Sequence, residues 1–151
     1  MIDFNLECKI TVKHYLELCF GTPVLMRRDS YIGKYFYSLV DVPMQTEDSK
    51  ILTKYETICT ITISEKVFLR KGYVLSKTNQ REFNCFVEDI FITQICRDLD
   101  ALCKYKNEMV SKTIVNYIYE TYGMDETIMS YDMIKKFYYR HRKRMEGLKV
   151  A

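Results

Sequence analysis

Six cations crowd one short stretch near the end of the chain: Lys135, Lys136, Arg140, Arg142, Lys143 and Arg144, with Tyr131, Tyr138 and Tyr139 interleaved. Guanidinium and ammonium groups at this density can each neutralise a backbone phosphate of a nucleic acid and release its condensed counterions, while tyrosine hydroxyls add hydrogen bonds to phosphate oxygens. The same pattern would also serve an acidic surface on another protein subunit, or simply complement the negative end of a helix. Charge is segregated along the chain. Residues 131–151 hold seven Lys/Arg against Asp132 and Glu146, a net of +5, whereas the other 130 residues carry 16 basic against 18 acidic, a net of −2. Asymmetry of this kind draws an anionic partner.

Catalytic chemistry has far less support. No GxxxxGK[ST], GxGxxG, HExxH or GxSxG run occurs, so nucleotide, dinucleotide, zinc-protease and hydrolase readings lack their motifs. The acidic pairs Glu88-Asp89 and Asp98/Asp100 read as a solvated helix face. Six cysteines, none in a CxxC pair, read as reduced core thiols, and only His14 and His141 are present to join them at a soft metal site. The expectation is therefore a protein that is not an enzyme, with no metal, no cofactor and no small-molecule substrate. The first ten residues, MIDFNLECKI, lack the basic and apolar regions of a secretory signal, and no run approaches the roughly 20 apolar residues of a membrane span. No membrane partner is expected, and one domain spanning 1–151 suits the length.

The elements that must position the cations follow from periodicity. Cys8, Ile10, Val12, His14 and Leu16 alternate with Lys9, Thr11, Lys13 and Tyr15, which predicts a strand over 8–16. Aromatic and β-branched residues over 34–44 predict a second strand ended by Pro43, and 51–63 a third, bulged one. Ser64 as N-cap opens a short helix to about 70 with Gly72 as its stop; Asn79 with Glu82 forms a capping box before a long helix to about 104. Asn107 or Ser111 starts a helix over 112–122 that Gly123 stops, and Ser130 caps the last, 131–146, with Ile134, Phe137, Tyr138, His141 and Met145 inward. The fold class is α+β: a three-stranded antiparallel sheet (1–63) followed by a helical half of three to four helices (64–151). Lys9, Lys13 and Lys54 would then add phosphate contacts from the sheet, with Thr11, Thr53 and Thr57 beside them.

The runs at 9–16 (KITVKHYL), 35–40 (YFYSLV) and 54–68 (KYETICTITISEKVF) together resemble the N-terminal arm-type DNA-binding region of tyrosine recombinases from bacteriophages and conjugative elements, which places a three-stranded sheet before helices. The run 112–122 (KTIVNYIYETY) looks like the start of the helical core-binding region that follows in that family. The resemblance implies double-stranded DNA as partner and the cytoplasm of a bacterial host cell as location. A recombinase also needs a catalytic set of two Arg, a Lys, a His and a nucleophilic Tyr on its own scaffold; His141-x-x-Arg144 fits one fragment of that set and is read as coincidence. What the resemblance implies is a binding module without strand cleavage. The alternative is a phage structural or assembly protein of the virion, using its helices for subunit contacts and forming a homo-oligomer.

Overall fold

The computed structural model describes residues 1–40, 55–71 and 75–150, which form two compact units, 1–88 and 89–151. The chain opens with strand β1 (Ile2–Cys8), in which Leu6 and Cys8 are fully buried while Asp3, Asn5 and Glu7 face solvent. This is the two-residue period of a half-buried strand. Helix α1 (Ile10–Phe20) follows at once, Lys9 serving as its extended N-cap residue. Strand β2 (Val24–Leu25) and helix α2 (Tyr31–Leu39) come next, then strand β3 (Thr57–Ile63) and helix α3 (Glu65–Lys71). Helix α4 (Lys77–Lys106) runs from the first unit into the second, where α5 (Lys112–Tyr122) and α6 (Tyr131–Val150) complete the described chain.

The α+β class stands, but the arrangement differs from the expected one. Among the described residues the sheet has three strands in the order β1-β3-β2, with β1 antiparallel to β3 and β2 parallel to it, so the sheet is mixed. Six helices are present among the described residues, and two of them precede β3. The expected strand over 8–16 is the end of β1 followed by α1: burial of Thr11, Val12, Tyr15 and Leu16 is a helical face, and Ile10 is 39% exposed. The expected strand over 34–44 is α2 up to Leu39, with Ile32, Gly33, Phe36 and Tyr37 inward. Residues 41–44, 51–54 and Gly72, which include parts of two expected strands and a helix stop, lie outside the described residues.

Aromatic packing fastens the first unit. Phe36, fully buried, meets Phe83 at a ring-centroid distance of 5.2 Å and Phe4 at 6.1 Å, both edge-on, a favoured geometry for π systems. Ser30 caps α2, its Oγ accepting from the Gly33 N–H at 2.9 Å. Gly33 has to be glycine, because a Cβ there would sit 1.8 Å from the Arg27 carbonyl oxygen. Helix α4 starts at Ser76, whose Oγ accepts from the Asn79 N–H (3.1 Å); the expected cap Asn79 is inside the helix, its amide donating to the Leu39 carbonyl at 2.8 Å. All six cysteines are free thiols, four buried and Cys19 and Cys85 exposed.

In the second unit the cores of the helices are Phe91, Ile95 and Leu99, then Ile114, Val115, Ile118 and Tyr122, then Ile134 and Tyr138. The rings of Phe91 and Tyr122 meet edge-on at 5.4 Å. Ser111 caps α5, and Gly123, in the left-handed region at φ 56°, closes it. Ser111 is one of the two expected starts, and Gly123 is the expected stop.

Candidate nucleic-acid interface

The side chains on α6 are aimed by its buried stripe. Ser130 holds the first turn, accepting from the Met133 N–H at 3.3 Å. Ile134 and Tyr138 are buried and Phe137 and His141 half-buried, so the inward face is set at i, i+3, i+4 and i+7. At 100° per residue Lys136 and Lys143 then fall opposite that face and Arg140 and Arg144 on its flank, all four exposed within an arc of about 100° and over a rise of about 12 Å. Among the described residues none of these four makes an ion pair. The helix continues to Val150, so the cations lie more than a turn before its C-terminal end. Dipole complementation, which fades within the last turn, does not account for them.

The other two cations of the cluster are turned elsewhere. Arg142 pairs with Glu146 at 3.3 Å, and the Lys135 ammonium lies 5.8 Å from the centroid of the Tyr131 ring. On the flank of α6 that faces α4, Arg97, Asp100 and Lys104 meet His141, Arg142, Met145 and Glu146 around a cleft of about 330 Å³. The hydrogen bond from Lys104 (2.6 Å) holds the Asp100 carboxyl below the usual range, and the Tyr138 hydroxyl donates to the same carboxylate at 3.4 Å. Burial, with Cys103 and Asp100 nearby, pushes the Tyr138 phenol up to about 12.

The cations expected on the sheet have a different setting. Lys9 sits at the junction of β1 and α1, its ammonium 2.6 Å from the Glu88 carboxylate, and Lys13 is on α1, so neither is on a strand face. Thr11 is buried in α1, while Thr57 opens β3. Lys54 and Thr53 lie outside the described residues. The solvent face of the sheet is acidic and neutral instead: Asp3, Asn5 and Glu7 stand across from Thr62, Thr60 and Ile58, and the Thr62 hydroxyl donates to Asp3 at 2.7 Å. A phosphate backbone would be repelled there.

Two carboxylates read from sequence as solvated are tied into the second unit. Asp98 accepts from the Tyr122 hydroxyl at 2.6 Å, and Asp100 is bonded to Lys104 and Tyr138. Their sequence signal was the pair of tyrosines at buried helical positions, each needing an acceptor for its hydroxyl. Among the described residues no three His, Cys, Asp or Glu side chains are grouped to hold a metal, and no helix is long and apolar enough to cross a membrane. Comparison of the chain with protein-family models, with curated proteins and with solved structures gives no match.

Proposed function

We propose that the chain is a non-enzymatic DNA-binding accessory module, of the kind a bacteriophage or mobile element carries in its host's cytoplasm, and that α6 holds the phosphates of duplex DNA. The observation that supports this is the stripe Lys136, Arg140, Lys143 and Arg144: four exposed cations on one side of a helix, without carboxylate partners among the described residues. Such a stripe contacts the backbone and reads no base edges, so binding is sequence-tolerant. Lys9 is occupied by Glu88 and is no longer counted among the contacts. The test is anisotropy of labelled duplex DNA across a salt series. Four phosphate contacts predict a slope of log K against log salt of about −3 to −4. Replacing all four residues by Ala is expected to flatten that slope, and absence of binding at low salt would remove the reading.

A second reading rests on the other side of the same helix. Past His141 the apolar stripe of α6 emerges into solvent, with Met145 47% and Leu148 71% exposed. Exposed apolar residues continuing a buried face suit a protein partner, which is how a phage structural or assembly subunit would use this helix. Mass measurement in solution distinguishes the two: a stoichiometric oligomer that Leu148→Glu dissolves supports assembly, and a monomer at all concentrations removes it.

A further inference from the structure

The cleft between α4 and α6 is separate from the outward stripe and carries its own chemistry. Each wall carries both signs of charge: Arg97, Lys104 and Asp100 on α4, and Arg142, His141 and Glu146 on α6. Both carboxylates are already matched, Asp100 by Lys104 at 2.6 Å and Glu146 by Arg142 at 3.3 Å. Arg97 makes no ion pair among the described residues, so its guanidinium is the open donor at the cleft, which the half-buried His141 imidazole also lines. Guanidinium groups present paired N–H donors that match the oxygens of a phosphoryl group. The volume, about 330 Å³, lies at the lower end of small-ligand sites and excludes a duplex.

We propose that this cleft binds a small hydroxylated phosphate monoester, a sugar phosphate or mononucleotide. Arg97, Arg142 and His141 take the phosphoryl oxygens. The carboxylates of Asp100 and Glu146 accept hydrogen bonds from the ligand's hydroxyls, and the Met145 side chain packs against its carbon skeleton. A bare anion would use only the first group of contacts, and an uncharged sugar only the second. The proposal does not depend on DNA binding, since Lys136, Arg140, Lys143 and Arg144 take no part in it.

The chain has two histidines, His14 and His141, so the imidazole C–H signals in a proton–carbon NMR spectrum report on the cleft directly, with His141→Gln giving the assignment. Titration with ribose 5-phosphate is expected to move the His141 signals saturably and leave those of His14 in place. Inorganic phosphate should bind about tenfold more weakly, and ribose alone should produce no shift. Arg97→Ala should weaken the ester about tenfold or more, with Arg97→Lys retaining part of the affinity, because a single ammonium replaces one fork of the donor set. The protein with Lys136, Arg140, Lys143 and Arg144 all replaced by Ala, which tests the DNA stripe, should bind the ester as before. His141 signals that stay still, that respond equally to chloride, or that shift undiminished in Arg97→Ala would overturn the proposal. Equal affinity for inorganic phosphate and the ester would overturn the assignment of Asp100 and Glu146.

Discussion

Helices α1 and α5 are both 11 residues long, and they are held at their starts in opposite ways. At α5 the cap is local: Ser111 Oγ accepts from the Ile114 N–H three residues on, and Gly123 closes the far end. At α1 the N-cap residue is Lys9, which has no side-chain cap, and the first turn is Ile-Thr-Val with no acidic residue. These are poor helix-starting residues. The Lys9 N–H is accepted instead by Asn84 Oδ1 on α4, 75 positions away, at 3.2 Å. A capping box assigns this task to the third residue of the same helix; here a remote asparagine performs it. Asn84 is fully buried, and its amide also donates to the carbonyls of Glu7 (3.0 Å) and Gln80 (2.9 Å). The first unit makes its strand-to-helix junction through tertiary contacts, whereas α5 carries its own stop signs.

Asn84→Ala is the strongest test of that difference. It removes the partner of two part-buried backbone groups, the Lys9 N–H and the Glu7 carbonyl, for a total loss of roughly 1–3 kcal/mol. The measurement is the shift in urea midpoint at unchanged slope, together with faster amide exchange across residues 10–13. A loss smaller than that of removing a local cap would mean that α1 stands without its remote partner.

Ser111→Ala sets the local standard. Loss of an N-cap side chain costs about 1 kcal/mol. The effect should be read in the same urea series, with exchange quickened in the first turn of α5 and unchanged at Lys9. Equal disturbance of both helices would erase the distinction between local and remote capping.

This contrast explains which parts of the molecule were legible in the residues. The helices α5 and α6 and the outward stripe of α6 could be read because caps, periodicity and buried face agree there. In 8–16 two periods overlap: Cys8, Val12 and Leu16 are spaced by four, which suits both a strand face and a helix face. The discriminating residues are Thr11 and Tyr15, which the fold buries, against Ile10, which it leaves 39% exposed. Nothing local favours that choice, since it depends on the cap from Asn84 and on the surfaces that cover Val12 and Leu16. The real strand lay one step earlier, in the alternation of Ile2, Phe4, Leu6 and Cys8 against Asp3, Asn5 and Glu7. In α2 the β-forming composition of YFYSL was outweighed by Ser30 as cap and by burial of Phe36 and Tyr37, the latter donating its hydroxyl to the Met26 carbonyl at 2.9 Å. Of the candidate contacts, the four outward cations of α6 were legible and the setting of Lys9 was not, because Glu88 is its neighbour only in the folded chain.

The ion pair between Lys9 and Glu88 joins the same two segments as Asn84, so it supplies the smallest and most selective test of what fastens α4 to the start of α1. Burial draws the Lys9 ammonium down, but the hydrogen bond and charge of Glu88 at 2.6 Å outweigh it and leave its pKa above the ordinary 10.5. With the folded value above the unfolded one, the pair's stabilisation is complete below about pH 10.5 and is lost as pH rises through the folded value. The Lys9 side chain is 50% exposed, so solvent screening keeps the contribution within about 1 kcal/mol. Lys9→Met, which keeps the apolar stem, should therefore cost less than Asn84→Ala at neutral pH. A double-mutant cycle with Glu88→Gln should give a coupling that shrinks in strong alkali, the cycle cancelling tyrosine and cysteine ionisation common to all four proteins. If the coupling instead exceeded the loss in Asn84→Ala, charge rather than the buried amide would be what holds the remote cap in place.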